Sequence, residues 1–233
     1  MTYYKRNLPH YQPEGHTFFV TIRLAGTIPE YIYQRIKYEF DKEIDKISSP
    51  KVTKKRRELY HEIQMNHFIK YEQILDSNVY GRKWLADERI AKIVADSLHY
   101  RDEKEIELLS YTIMPNHVHI VLKPIVERFA DASHVESLRR NSKNRSDEEH
   151  NHDSFYILTD ILQNYKKYTA RMSNLILNRT GQFWQHESYD HVIRDQDELN
   201  RIINYVLQNP VKAGLVENPE DWKWSYYKRE FDL

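Results

Sequence analysis

The sequence contains no cysteine among its 233 residues. Disulfide bonds and thiolate metal sites are therefore excluded, and any metal ion would have to be held by histidine, carboxylate, amide or water ligands. Twelve histidines are present. The search for a metal site thus begins with these histidines.

Net charge and long apolar runs are also absent. The 35 basic and 35 acidic residues balance, so the overall charge gives no argument for a polyanionic partner. No apolar run is long enough to cross a bilayer, and the first twelve residues, MTYYKRNLPHYQ, lack the apolar block of a signal peptide. We therefore expect a cytoplasmic protein with no membrane partner.

The charges that are present are unevenly distributed. The segment at 51–57 is basic, that at 146–153 is largely acidic, and Lys166, Lys167 and Arg171 surround one predicted helix. Eighteen tyrosines and four tryptophans accompany them. Single-stranded nucleic acid stacks on aromatic side chains beside basic ones, although solvated helix faces and ordinary core packing are the plainer explanation.

Apolar periodicity predicts strands that alternate with helices. Strands are predicted at 16–24, 105–114, 117–124 and within 181–195, and helices at 28–44, 85–100, 155–178 and 196–208. Only Pro115 and Asn116 separate the two middle strands, which predicts an antiparallel hairpin. Pro210 predicts the end of the last helix. Together these features predict an α+β fold, with a ferredoxin-like antiparallel sheet, helices packed on one face and helical insertions.

The length favours a single domain over residues 1–233. Two stretches, at about 45–80 and 125–153, look like insertions into this domain. The second is polar and charged with little periodicity, which is typical of a loop or mobile insertion. Neither stretch carries a motif that assigns it a role.

The segment PNHVHIV, residues 115–121, places two histidines two residues apart in a strand. Residues at this spacing point to the same face, so His117 and His119 should project side by side while Val118 enters the opposite face. Two imidazoles can bind a divalent cation and leave positions open for water, a third side chain or a phosphate oxygen. Two partly exposed histidines on the wet face of a sheet are the alternative.

A second polar pair lies at the predicted end of the last helix. Tyr205 and Asn209 are four residues apart and therefore share one helix face. The amide could complete a metal site, and the phenol could attack phosphorus once a cation polarises the scissile phosphate. A core tyrosine beside a capping asparagine is the alternative explanation.

Four segments resemble, in order and spacing, the REP-associated tyrosine transposases, a branch of the single-tyrosine HUH transposases. They are MPNHVHIVLKP (114–124), GQFWQHESYDHVIRD (181–195), YVLQNPVKAGLV (205–216) and DWKWSYY (221–227). The resemblance covers residues 105 to 229 approximately. It implies that His117 and His119 bind the metal, that Tyr205 is the nucleophile and that Asn209 serves as a third ligand.

The resemblance also implies a mechanism. A magnesium or manganese ion would polarise a phosphodiester of single-stranded DNA, Tyr205 would form a 5′-phosphotyrosine, and a second 3′-hydroxyl would reverse the step. Members of this family recognise hairpins in repetitive palindromic elements. We therefore expect the region at 155–184 to contact folded DNA through Lys166, Lys167, Arg171 and Trp184. A monomer is favoured over a homodimer.

Other readings remain open from the sequence. Tyr165 and Tyr168 lie on a basic helix but lack an asparagine four residues later, so they rank below Tyr205 as nucleophiles. A polar cluster at 186–191 contains two histidines, and no ligand role is assigned to it. The same fold could also bind structured DNA or RNA without cutting it, or hydrolyse phosphodiesters with metal-bound water.

Overall fold

A computed structural model of the chain describes residues 3–5, 9–47, 54–77, 80–126 and 157–228. The strands are β1 (Tyr3–Lys5), β2 (Pro9–Tyr11), β3 (Thr17–Arg23), β4 (Ile106–Ile113), β5 (His117–Pro124), β6 (Tyr189–Ile193) and β7 (Ser225–Tyr227). The helices are α1 (Glu30–Ile47), α2 (Lys54–Asp76), α3 (Glu88–Arg101), α4 (Ile157–Ile176) and α5 (Gln196–Lys212). Most of the predicted 125–153 insertion, from residue 127 onward, lies outside the described residues.

Five strands form an antiparallel sheet in the order β6-β3-β5-β4-β7. The predicted hairpin is confirmed, since β4 and β5 pair from Ile106 opposite Pro124 to Ile113 opposite Val118. β3 pairs with β5 on one side and with β6 on the other. The α+β class and the antiparallel sheet are therefore confirmed, and the strand order is compatible with a ferredoxin-like arrangement.

Both faces of the sheet are apolar at its centre, and helices cover both. On the first face, Val20 and Val118 pack against α3 and α4. On the second face, Phe19 and Val121 pack against α5 and against Phe68 of α2. This differs from the expectation of helices on one face. Consecutive residues of β3 point to opposite faces and are all buried, so helices must pack against both faces of the sheet.

The predicted insertion at 45–80 consists largely of α2, which packs against α1. Ile36 and Leu75 belong to one apolar cluster between the two helices, and Phe40 and Ile63 belong to another. Phe68 of α2 packs on two neighbouring strands of the sheet, with its ring centroid 5.6 Å from that of Phe19 in β3 and 3.9 Å from that of Tyr189 in β6. The end of α2 is thereby fixed on the second face of the sheet.

The last helix, α5, begins at its N-cap Asp195, whose side chain accepts a hydrogen bond from the Glu198 amide. The prediction that Pro210 ends this helix is wrong, because α5 continues through the proline to Lys212. A proline this close to the helix end removes one amide donor, and the chain continues with the Ala213 amide donating to the Asn209 carbonyl at 2.9 Å. Asn209 is therefore helical and lies one turn beyond Tyr205.

None of the helices among the described residues is both long enough and apolar enough to span a membrane.

Candidate metal centre and tyrosine site

The two histidines of β5 are fully buried and face each other. Their Nε2 atoms are 2.9 Å apart, while Val118 between them packs into the first-face core. The other ring nitrogens are held from behind: His117 Nδ1 is 2.6 Å from Asn116 Oδ1, and His119 Nδ1 is 3.0 Å from Thr21 Oγ1. These contacts orient the two rings so that both Nε2 atoms point to the same place. In metal sites, a hydrogen bond to the other ring nitrogen orients the histidine ligand in the same way.

Two carboxylates from the end of α2 meet the histidines. Asp76 Oδ1 lies 3.5 Å from His117 Nε2 and 3.8 Å from His119 Nε2, and Glu72 Oε2 lies 3.2 Å from His119 Nε2. One ligand atom from each of Asp76, His117 and His119 lies within 4.8 Å of the others. Among the described residues this is the one group of three or more histidines and carboxylates close enough to hold an ion.

The tyrosine and asparagine of α5 reach the same point from the other side. The Tyr205 hydroxyl donates to Glu72 Oε2 at 2.9 Å and to Asp76 Oδ2 at 3.2 Å. Asn209 is fully buried, and its Nδ2 donates to Asp76 Oδ1 at 3.0 Å and lies 3.1 Å from His119 Nε2. The structure thus brings together all four residues that the sequence singled out, and α2 links them.

Burial and charge determine the protonation of this cluster. Burial raises the pKa of Glu72 well above its usual value, and the charge of Asp76 adds to this rise. Burial also acts to raise the pKa of Asp76, but its interactions with His117 and His119 outweigh burial and hold that pKa below its usual range. Burial, followed by repulsion from His117, lowers the pKa of His119 to about 4. His119 is therefore neutral at pH 7, the form in which imidazole binds metal.

The Tyr205 phenol is neutral in this arrangement. Burial raises its pKa far above 10, and the adjacent charges of Glu72 and Asp76 raise it further. Lys212 is the nearby cation, with its Nζ 4.8 Å from the centre of the Tyr205 ring. A cation placed among these groups would offset the negative charge that opposes ionisation of the phenol.

The donor set fits a divalent cation. It comprises two imidazole nitrogens and a carboxylate oxygen, and Asn209 adds an amide whose Oδ1 is buried without a hydrogen-bond partner among the described residues. The oxygen and nitrogen of an amide exchange places when the group turns over. Such a turn would bring Oδ1 to the position of Nδ2, beside Asp76 and His119. Asn209 can therefore supply an oxygen ligand.

Sequence reasoning missed Glu72 and Asp76. Their four-residue spacing places them on one face of α2, but the same spacing is common for carboxylates on solvated helix faces. In the sequence their segment looks like an insertion, and no motif assigns it a role. One signal could have pointed to them. Phe68 and Leu75 are apolar and lie on the same face of α2, which indicates that this face is buried against the rest of the protein.

The predicted DNA-contacting residues lie apart from the metal centre, since α4 packs on the first face of the sheet. Lys167 and Arg171 are exposed. Lys166 donates to the His186 carbonyl at 2.8 Å and to Ser188 Oγ at 3.2 Å. Lys166, Lys167 and Trp184 border a cavity of about 620 Å³.

Trp184 differs from the expectation of a stacking surface. Only 4% of its surface is exposed, and its indole nitrogen donates to Thr169 Oγ1 at 2.8 Å. A buried ring with a satisfied N–H group offers no open face to a base. Trp184 therefore belongs to the core between α4 and the sheet.

The competing tyrosines are also on α4. Tyr165 is 1% exposed, and its hydroxyl is 3.5 Å from the Val94 carbonyl. Tyr168 is half exposed. Both lie on the helix that packs against the first face, whereas His117 and His119 lie on the second. The structure thus separates these two tyrosines from the metal centre.

The chain shows sequence similarity to known proteins. It is 26% identical over 125 residues to the "Putative REP-associated tyrosine transposase" of Haemophilus influenzae, a match that covers 53% of this chain and 60% of that protein. The chain is similar to REP-associated tyrosine transposases. A 47-residue stretch is 34% identical to the "REP-associated tyrosine transposase" of Escherichia coli, covering 20% of this chain and 28% of that protein. The resemblance seen in the motifs is confirmed.

The similarity to these transposases is partial. The matched stretches cover less than two thirds of either curated protein, and no family model matches the chain. A solved structure described as "Structure of the REP associates tyrosine transposase bound to a REP hairpin" aligns with a TM-score of 0.45 and 14% identity, covering 97% of this chain and 82% of that chain. The strand order and helix packing establish the fold independently of this alignment.

Proposed function

We propose that the protein is a transposase-type enzyme that nicks and rejoins single-stranded DNA through a 5′-phosphotyrosine at Tyr205. The observation that carries this proposal is the position of Asp76. One oxygen of its carboxylate accepts the Tyr205 hydroxyl at 3.2 Å, and the other lies 3.5 Å from His117 Nε2. A nucleophile and a set of metal ligands therefore meet at a single side chain.

His117, His119 and Asp76 would hold a magnesium or manganese ion, with Asn209 as a further ligand through Oδ1. When bound, the ion would supply positive charge to a phosphate oxygen and make the phosphorus easier to attack. Asn116 and Thr21 hold the distal nitrogens of the two imidazoles. They thereby fix the ring orientations, so that the ligands need little rearrangement on binding.

Tyr205 would attack the phosphorus in line with the departing 3′-oxygen. A bond forms between the tyrosine oxygen and phosphorus, and the bond from phosphorus to the 3′-oxygen breaks. The departing 3′-oxygen takes up a proton from water to become a hydroxyl. The nearest acceptors for the phenolic proton are Glu72 Oε2 and Asp76 Oδ2. Because the phosphotyrosine keeps the energy of a phosphodiester, a second 3′-hydroxyl can reverse the step and join strands without ATP.

The proposed substrate is single-stranded DNA that folds into a hairpin. The names of the two similar proteins refer to REP elements, and the resemblance implies recognition of hairpins in repetitive palindromic elements. The exposed cations Lys167 and Arg171 support contact with the DNA backbone. Their position on the first face would place the folded part of the DNA away from the metal centre and leave a single-stranded flank to reach Tyr205.

A covalent-adduct assay tests this function. Labelled hairpin DNA from beside the protein's own gene is incubated with the protein, with and without manganese. We expect a denaturant-resistant, protease-sensitive band that requires manganese, is lost in Tyr205→Phe and persists in the matched control Tyr168→Phe. Cleavage without an adduct that survives in Tyr205→Phe would instead assign the attack to water.

A further inference from the structure

A cavity of about 600 Å³ lies between the α1–α2 helix pair and strand β3. We call it the α1–α2 pocket. It is bordered by Arg23 of β3, Tyr33 of α1, and His67 and Tyr71 of α2. The volume is within the range of small-molecule sites.

The α1–α2 pocket adjoins the candidate metal centre. Thr21 and Glu72 line the pocket, and each also contacts a residue of the centre: Thr21 holds His119 Nδ1, and Glu72 accepts the Tyr205 hydroxyl. Arg23 lies directly opposite His117 in the pairing of β3 with β5. A group bound in the pocket would therefore be a near neighbour of a phosphate at the centre.

The charges of the pocket argue against a phosphate as its occupant. Its charged lining residues are the cations Arg23 and Lys37 and the acids Glu30, Glu72 and Glu187. Phosphate sites are built from an excess of cations. Here three acids face two cations, so the charges of the pocket do not favour an anionic group.

The polar groups of the pocket could form hydrogen bonds with the edge of a planar ring of a bound ligand. The side-chain hydrogen bond that Arg23 makes among the described residues uses one nitrogen, Nη1, which donates to Thr27 Oγ1 at 3.3 Å. The guanidinium has further N–H donors in a forked arrangement. His67 Nε2 is buried without a hydrogen-bond partner among the described residues, while the ring has a hydrogen bond with the Ile36 backbone. Arg23 thus offers donors to the pocket, and His67, which also lines it, has an unsatisfied ring nitrogen.

The aromatic rings of the pocket suit the faces of such a ligand. The ring centroids of Tyr33 and Tyr71 are 6.3 Å apart with planes inclined by 60°, and the ring of His67 is 4.8 Å from that of Tyr71. Aromatic faces combined with edge-directed polar groups are the means by which proteins hold an unstacked nucleobase.

We propose that the α1–α2 pocket binds one unpaired nucleobase of the DNA strand beside the phosphate that Tyr205 attacks. This proposal rests on the proposed function and extends it. The proposal gives a role to α1 and α2. These helices would hold the base next to the attacked phosphate, while Asp76 at the end of α2 faces the phosphate itself. Recognition of a single base would then determine which phosphate reaches the metal centre.

The test is a scan with abasic DNA. Single-stranded hairpin oligonucleotides each lack one base near the cleavage position, and their affinities for the protein are measured by fluorescence anisotropy. For the wild type, removal of the base at one position should weaken binding by about tenfold, which is the effect expected when one base loses its stacking on an aromatic ring. In Arg23→Gln the same position should have no further effect, because the contact is already lost. Lys92→Gln, on α3, should keep the wild-type pattern.

A second measurement avoids substitution of a buried arginine. The fluorescent base 2-aminopurine is placed at each position in turn and bound to wild-type protein. Fluorescence should fall at the position identified by the abasic scan, because stacking on an aromatic ring quenches it. Unchanged fluorescence at every position, or equal abasic penalties in wild type and Arg23→Gln, would overturn the proposal.

The adduct assay on the same oligonucleotides separates the two proposals. Adducts at Tyr205 without any position-specific effect of Arg23 would overturn the pocket and leave the nuclease function standing. Position-specific binding without an adduct would support the pocket and overturn the nuclease function. Failure to bind any of the oligonucleotides would overturn both.

Discussion

Replacement of Asp76 by asparagine would remove one carboxylate from the candidate metal centre and keep nearly the same side-chain shape. In the wild-type protein Asp76 Oδ1 accepts a hydrogen bond from Asn209 at 3.0 Å and lies 3.5 Å from His117 Nε2. Asparagine keeps one oxygen for these contacts, so we expect the variant to fold. A neutral amide is a weaker ligand than a carboxylate for a divalent cation, so the variant should lose affinity for manganese.

The expected loss of manganese affinity in Asp76→Asn is large because the site has few ligands. Asp76, His117 and His119 supply the three ligand atoms that lie within 4.8 Å of one another, and Asp76 is the charged member. Loss of a second-layer partner alone costs about 10–100-fold in metal affinity, so loss of the charged ligand should cost about 100-fold or roughly 3 kcal/mol. Glu72, 3.2 Å from His119, leaves a second carboxylate nearby. Binding should therefore be weakened rather than abolished.

Isothermal titration with manganese at pH 7 measures this effect. The matched control is Asp96→Asn on α3, where an exposed carboxylate pairs with Lys92 at 2.8 Å on the other side of the sheet. The control should bind manganese like the wild type. Equal affinities for the wild type and Asp76→Asn would refute the assignment of Asp76 as a ligand.

Further predictions concern the core, the DNA surface and acid stability. Trp184→Phe removes the hydrogen bond to Thr169 and should lower the free energy of unfolding by about 1–3 kcal/mol in urea; weaker DNA binding at unchanged stability would contradict a core role. Lys167→Ala and Arg171→Ala should each reduce the slope of log affinity against log salt by about 0.9, the value for one phosphate contact with duplex DNA, and an unchanged slope would exclude that side chain from phosphate contact. Burial lowers the pKa of His67 from 6.5 to about 4, so the folded protein binds fewer protons than the unfolded chain. The contribution of this group to stability is complete above pH 6.5 and is lost as the pH falls toward 4. His67→Leu should therefore reduce the stability lost between pH 7 and pH 4.5 by about 2 kcal/mol, and equal losses in urea titrations of both proteins would contradict this.

The β4–β5 hairpin and its histidines could be predicted because their signals are local. Strand alternation places His117 and His119 on one face, and the turn at Pro115 and Asn116 follows from two residues between apolar runs. The spacing of Tyr205 and Asn209 indicated a shared helix face in the same way. Which residues share a face of a strand or helix depends on neighbours within a few residues, so it can be predicted without knowledge of the fold.

The other half of the site depends on distant contacts. Glu72 is 133 residues from Tyr205 along the chain, and their contact requires α2 to pack on α1 and the sheet. The burial of Trp184 likewise depends on a hydrogen bond to Thr169 of α4, which basic and aromatic composition does not reveal. Pro210 does not end α5, because a proline near a helix end costs a single hydrogen bond and does not fix where the helix stops.

The identity of the residue that carries DNA after cleavage tests the central claim most directly. The adduct is digested with nuclease and trypsin, and the modified peptide is sequenced by mass spectrometry. Cleavage after Arg201 and Lys212 releases residues 202–212, in which Tyr205 is the one tyrosine. We expect the nucleotide on Tyr205 of this peptide. A nucleotide on Tyr165 or Tyr168, or cleaved DNA with no modified peptide, would contradict the account.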